Sequence, residues 1–174
     1  VASFVGASVG PYLFTLTVSL SVLEFAFQNA SVGPCLFAVS VGVLAGSISS
    51  IFFIYGLSKL FGLDQALMLS LLPKSITTAI GMPLAELFGG VPSIATLGIT
   101  FTGIFGNVLG LQFCKWFRIT DETARGVAFG TGSHVIGTAK ASELSPLSGA
   151  VSSLSLVASG LMTALLFPVL TGFL

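Results

Sequence analysis

The stretch LSLLPKSITTAIGMPLAELFGG, residues 69–90, decides the fold of this chain, because it inserts a proline and a group of polar side chains into an otherwise apolar sequence. A second stretch of this kind, GTGSHVIGTAKASEL, occupies residues 130–144 and contains the only histidine. The whole chain has 174 residues, of which 54% are hydrophobic and 7% are charged. We therefore expect function at the two polar stretches and lipid contact elsewhere.

The composition indicates an integral membrane protein. Soluble proteins carry charge on roughly a quarter of their residues, whereas the mean hydropathy of this chain is +1.07. At about 20 to 25 residues per crossing, the length allows five or six passes through the bilayer in a single domain covering residues 1–174. The net charge is zero and no basic run occurs, which excludes nucleic-acid binding.

Long apolar segments, separated by turns and loops, supply the predicted crossings. The sequence predicts them at residues 5–27, 34–57, 91–114 and 146–173. The segment KWFRITDETAR, residues 115–125, is the clearest loop, with Thr120 as the predicted N-cap of the next helix.

The two polar stretches are predicted to be interrupted helices. Pro73 removes a hydrogen bond from the first, and the glycines of residues 126–137 loosen the second. Non-helical backbone at membrane depth persists only where it faces a cavity or other protein. The predicted fold is all-α: a polytopic transmembrane helical bundle with two broken helices.

Loop charges suggest how the broken helices run. If residues 64–90 and 121–145 each cross the membrane, Lys59, Lys115 and the arginines at 118 and 125 fall on one side, and the opposite loops carry no basic residue. That distribution agrees with the positive-inside rule. The charges therefore favour spanning segments over re-entrant ones.

An internal repeat is compatible with the sequence. An offset of 57 residues aligns Glu86 with Glu143 and Gly103 with Gly160, and pairs each broken helix with a following long helix. The few identities do not separate a two-fold repeat from chance. Repeated broken helices are, however, a feature of carrier folds.

Each interruption gathers groups that suit a small anion. After Pro73, the next helix is predicted to begin with free N–H groups beside an ammonium and three hydroxyls, those of Lys74, Ser75, Thr77 and Thr78. At the second, the titratable ring of His134 stands beside Ser133 and is followed by Gly137 and Thr138. A carboxylate or a co-transported proton would fit there.

Structural interpretations of the same residues remain open. Lys74 could extend toward a membrane interface, and His134 could be a packing residue that contacts a neighbouring carbonyl. Glu86 and Glu143 could neutralise Lys74 and Lys140 or lie at a wet interface. No nucleophile elbow, metalloprotease motif or phosphate loop occurs, so the sequence predicts no enzyme, no catalytic residue, no metal and no cofactor.

The segments LLPKSITTAIGM and FRITDETARGVAFGTGSHVIGTAKASEL strongly resemble the LrgB/CidB family of bacterial membrane proteins over roughly residues 40–174. Two positions depart from the family pattern: Ala79 stands where a proline is usual, and Val135 replaces a glycine after His134. The family has one or two earlier crossings, so the resemblance implies a chain that lacks the family's N-terminal helices.

The resemblance implies two alternative functions. One is a carrier for a small organic anion such as pyruvate or glycolate, with substrate bound by Pro73, Lys74, Ser75, Thr77, Thr78, Ser133, His134, Gly137 and Thr138. The other is a holin- or antiholin-like modulator of murein hydrolase export and cell lysis. Both imply a small LrgA/CidA-like membrane partner, a homo-oligomer and a multi-pass protein of the bacterial cell membrane, with a plastid envelope as the alternative location. The substrate and the coupling ion are left open.

Overall fold

A computed structural model describes residues 33–172, and all its regular secondary structure is helical. This confirms the all-α prediction for the described residues, while the crossing predicted at residues 5–27 lies outside them. The chain divides into two units, residues 1–37 and 38–174. Its helices, the first of which begins before the division, are α1 (Gly33–Phe61), α2 (Gln65–Leu71), α3 (Thr78–Leu87), α4 (Pro92–Trp116), α5 (Glu122–Leu144) and α6 (Pro146–Thr171).

Three of these helices are long and apolar enough to cross a membrane. The candidate spans are Leu36–Phe61, Pro92–Trp116 and Pro146–Thr171, and each exceeds the roughly 20 residues that a crossing requires. Large apolar side chains cover their outer faces, including Phe52, Val108 and Leu165. The protein is therefore a multi-pass membrane protein.

Helices α2 and α3, joined by residues 72–77, form a first hairpin. The backbone N–H of Val91, just beyond α3, donates to Ser70 Oγ in α2 at 2.7 Å. Phe88 packs against the buried cluster that contains Met68 and Leu69. A straight helix would separate residues 70 and 91 by about 30 Å. The segment therefore returns to the end of the bundle at which it began.

Helix α5 forms a second hairpin, because it turns back at His134, whose backbone angles are φ 44° and ψ −134°. Ser148 Oγ, at the start of α6, donates to the carbonyl of Glu122 at 3.0 Å. Phe129 and Ala141 share one buried cluster although twelve positions separate them. The two halves of α5 therefore run side by side.

The prediction that both segments span the membrane is wrong. The α4 helix begins where the first hairpin closes and ends where the second opens, so Lys59 and Lys115 lie at opposite ends of the bundle, called here the Lys59 end and the Lys115 end. The prediction of five or six crossings included these two segments, which form hairpins and do not cross the membrane. Loop charges could not reveal this, because each hairpin is closed by contacts between distant residues.

Helix α4 contacts both hairpins and brings their turns together. Gly98 of α4 faces Leu71 and the base of the Lys74 side chain, and Gly103 faces His134. Farther along, Gly110 faces Phe129 of the second hairpin. The turns of the two hairpins, which enter from opposite ends, thus meet near the middle of α4.

Other contacts complete the packing around the hairpins. The α6 helix packs most extensively against the second hairpin, with Gly130 against the backbone of Ser152. Phe167, near the end of α6, joins the cluster of the first hairpin. The second hairpin is capped by Asp121, which accepts from Ala124 N at 2.8 Å, so Thr120 is not the N-cap as predicted.

Candidate functional site

Lys74 lies at the turn of the first hairpin and is partly buried. Its Nζ donates to Ser75 Oγ at 3.3 Å and to Ser50 Oγ, on α1, at 3.5 Å. The two serine hydroxyls are themselves 2.6 Å apart. Ser50 was not predicted from the sequence. It comes directly after a set of small residues in α1, and these indicated only close packing between helices.

The turn that presents Lys74 is built from backbone hydrogen bonds on either side of Pro73. The N–H of Lys74 donates to the carbonyl of Leu71 at 3.1 Å, and the N–H of Ile76 donates to that of Pro73 at 3.2 Å. Thr77 then caps α3 in an extended conformation, without a side-chain capping bond, and Thr78 begins the helix. Pro73 therefore ends one helix, as the sequence indicates. The next helix begins at Thr78 and not directly after Pro73 as predicted, and the N–H groups of Lys74 and Ile76 are paired within the turn.

Lys74 has no acidic partner within salt-bridge distance among residues 33–172. The ion pair found there joins Lys140 Nζ to Glu143 Oε2 at 2.6 Å, in an exposed position. Glu143 thus neutralises Lys140, in agreement with one structural interpretation, whereas Glu86 is exposed and does not pair with Lys74. The ammonium is instead surrounded by hydroxyl groups.

His134 lies at the turn of the second hairpin and is buried, with 4% of its surface exposed. Its Nε2 is 2.8 Å from the carbonyl of Ile99 on α4. A Cβ atom added to Gly103 would meet the imidazole ring, and one added to Gly106 would meet the Ser133 side chain. The ring is therefore held by the α4 backbone, as the packing interpretation expects.

Thr138 and Gly137 shape the returning half of the second hairpin. Thr138 Oγ1 donates to the carbonyl of His134 at 2.9 Å and lies 2.8 Å from Ser152 Oγ on α6. Because the threonine has a single proton to donate, Ser152 supplies the proton of the second bond. A side chain at Gly137 would meet Ser133, so this position needs a glycine for close approach.

A groove of about 560 Å³ lies between α1, α4 and the hairpin turns. Among its polar lining residues are Lys74 and Ser133 of the predicted set and Thr102 of α4, which was not predicted. The apolar lining comes mainly from Phe53, Phe101, Phe105, Leu109 and Phe113. Lys74 and Ser133 thus share a space, whereas His134, Thr138 and the threonines of the first turn are not in its lining.

The groove combines one ammonium and two hydroxyl-bearing side chains with aromatic walls. An ammonium with hydroxyl neighbours binds a carboxylate, and apolar walls accept a short carbon chain. The arrangement can therefore hold a small organic anion near the middle of the bundle.

Comparison with known proteins gives a consistent match. Residues 4–173 match the sequence profile of the LrgB-like family. Antiholin-like protein LrgB of Bacillus mycoides (strain KBAB4) is 35% identical over 132 residues, which is 76% of this chain and 57% of the relative. The protein of the same name in Bacillus cereus (strain B4264) is 34% identical over the same lengths. The chain thus spans somewhat more than half of these relatives. No solved structure matches it.

Proposed function

The chain belongs to the LrgB-like family of membrane proteins, and from this premise we propose that it carries a small monocarboxylate, such as pyruvate or glycolate, across the bacterial cell membrane together with an LrgA-like partner. The substrate-binding residues are the two of the predicted set that line the groove, Lys74 and Ser133. Lys74 binds the carboxylate, and Ser133 and Thr102 complete the polar surface of the groove.

One observation carries this proposal: Lys74 is a partly buried cation in the middle of an apolar bundle, and no acidic side chain of residues 33–172 pairs with it. An ionisable side chain at membrane depth is costly and usually serves a transported species or a partner charge. Serine hydroxyls from two elements hold the ammonium beside the groove. A small anion entering the groove would supply the missing charge.

The arrangement of the hairpins supports a carrier in a second way. Each hairpin is followed by a long helix, and the two units enter from opposite ends of the bundle. We interpret them as an inverted repeat in which the offset of 57 residues superposes the turn at Thr77 on that at His134. Inverted repeats with a binding site at their interface are common in secondary transporters. Such an arrangement allows alternating access, which a simple pore does not need.

Substituting Lys74 tests the proposal. In liposomes that contain the full protein and its LrgA-like partner, Lys74→Ala should reduce saturable uptake of labelled pyruvate or glycolate by about 100-fold, because loss of one charged hydrogen-bonding partner costs about 3 kcal/mol. Lys59→Ala is the matched control, since Lys59 is exposed near the end of α1 and should leave uptake unchanged. Wild-type uptake by the Lys74→Ala protein would contradict the assignment.

The name of the relatives favours a second candidate function. An antiholin-like protein would modulate a membrane lesion that passes large solutes and would show no saturable substrate. The same liposomes, loaded with a fluorescent dye, separate the two functions. A carrier retains the dye while it accumulates the carboxylate, whereas a modulator of lesions changes dye release with little sensitivity to Lys74.

A further inference from the structure

We propose that a sodium ion binds between the second hairpin and α6, held by the hydroxyls of Ser155, Ser152 and Thr138 and by carbonyl oxygens from residues 130–133. The role of this ion as the coupling ion of transport rests on the proposed function. The binding of the ion does not rest on the proposed function and can be measured separately.

The first observation is an unpartnered hydroxyl at the centre of the bundle. Ser155 is fully buried, with 0% of its surface exposed, and its Oγ has no hydrogen-bond partner among residues 33–172. The only other such side-chain atom in that range is Ser47 Oγ of α1. An unpaired polar atom at membrane depth is strongly unfavourable. A bound ion would satisfy the Ser155 oxygen.

The second observation is the position of Ser155 against the second hairpin. A Cβ atom added to Gly130 would lie 2.9 Å from the Cβ of Ser155, so the serine packs directly on the backbone of the last turn before His134. Carbonyls in the last turn of a helix lose their usual partners where the helix is interrupted. They also carry the negative end of the helix dipole, which attracts cations.

Further oxygen atoms are available beside Ser155. The hydroxyls of Ser152, three residues before Ser155, and of Thr138 are 2.8 Å apart. Neutral hydroxyl and carbonyl oxygens suit a monovalent cation, and half-helix C-terminal ends coordinate sodium in other carriers. A divalent ion would instead be expected to have carboxylate ligands, and none of these groups is a carboxylate.

Charged and titratable side chains near the hairpin do not oppose a cation at this position. The His134 ring is directed toward α4, where its Nε2 contacts the carbonyl of Ile99. Lys140, in the returning half of the hairpin, is neutralised by Glu143. The positive groups of the region are therefore either turned to another helix or paired.

Sodium-dependent stability tests the site without any transport assay. The thermal unfolding of the purified full protein in detergent is measured in sodium chloride, potassium chloride and choline chloride at equal ionic strength. Sodium should raise the unfolding temperature of the wild type, and Ser155→Ala should raise the sodium concentration for half-maximal stabilisation at least about tenfold. Ser153→Ala, which removes an exposed hydroxyl of α6, is the matched control and should respond as the wild type does.

The opposite results would overturn the proposal. If the wild type responds equally to all three salts, no specific ion is bound. If Ser155→Ala becomes more stable in every salt, the hydroxyl was simply an unfavourable buried group. Where Ser155→Ala fails to fold, Thr138→Val provides the second variant, and an unchanged sodium response in it would likewise reject the site. If sodium stabilises the protein but uptake is independent of sodium, the site remains and its coupling role is rejected.

Discussion

Single glycines of α4 set how closely the second hairpin approaches it. Gly103 and Gly106 face His134 and Ser133, and Gly110 faces the ring of Phe129. Their spacing of three and four positions puts them on one face of the helix. In a lipid environment, close backbone approach replaces the hydrophobic effect as the main source of helix association. The addition of even a methyl group at these positions should therefore lower the free energy of unfolding.

Gly106→Ala tests this dependence at one atom. The added methyl group would overlap the side chain of Ser133. The hairpin and α4 would have to move apart to make room for it, which should lower the free energy of unfolding by about 1–3 kcal/mol. Gly56→Ala is the control, because nothing lies within 4 Å of a methyl group at that position of α1. Unfolding of both variants in a detergent titration gives the comparison, and equal stability of the two would contradict the contact.

At the scale of residues, the sequence indicates part of the candidate site. Lys74 and Ser133 stand out as polar groups in apolar surroundings, and both line the groove. Ser50 and Thr102 also contribute, but each lies within a long apolar helix where hydroxyl groups usually bond to their own backbone. Their role depends on which face of the helix meets the hairpins, and a single sequence does not contain that information.

At the scale of elements, the two hairpins depend on hydrogen bonds between residues far apart in the chain. Ser70 Oγ donates to the carbonyl of Ala66 at 2.6 Å and accepts from the N–H of Val91 at 2.7 Å. One side chain thus joins α2 to the start of α4 and closes the first hairpin. Because Ser70 is fully buried, no water replaces either bond.

Ser70→Ala should therefore destabilise the protein by about 1–3 kcal/mol, since it leaves the N–H of Val91 unpaired in a buried position. Ser142→Ala removes a comparable bond to a carbonyl four residues earlier but leaves no distant partner unpaired, and should change stability by about 0.5 kcal/mol or less. Hydrogen exchange at Val91 provides a local measurement. Unchanged protection there in Ser70→Ala would show that the bond does not hold the hairpin closed.

The same contacts explain why the direction of the segments was not predictable. Pro73 and the glycines near His134 indicate an interruption, and both places depart from a continuous helix. An interruption, however, permits either a kink or a complete reversal. The choice is made by Ser70 with Val91 and by Ser148 with Glu122, pairs that are separated by more than 20 positions.

At the scale of the whole molecule, the two hairpins change which loops share a side of the membrane. Lys115, Arg118 and Arg125 lie at the Lys115 end, whereas Lys59 lies at the opposite end. Lys140 is in the half of the second hairpin that returns toward the Lys115 end. Since basic residues remain on the cytoplasmic side, the Lys115 end is predicted to face the cytoplasm.

Single cysteines at Gln65 and Thr120, introduced after Cys35 and Cys114 are replaced by serine, test this orientation, because both positions are exposed and lie at opposite ends of the bundle. A membrane-impermeant thiol reagent added to intact cells should label Gln65→Cys and leave Thr120→Cys unlabelled. Labelling of both after permeabilisation serves as the control for reactivity. Two spanning segments would place these positions on one side, so equal labelling in intact cells would contradict the hairpins. Labelling of Thr120→Cys alone would keep the hairpins and reverse the orientation, because the loop charges determine only which end faces inward.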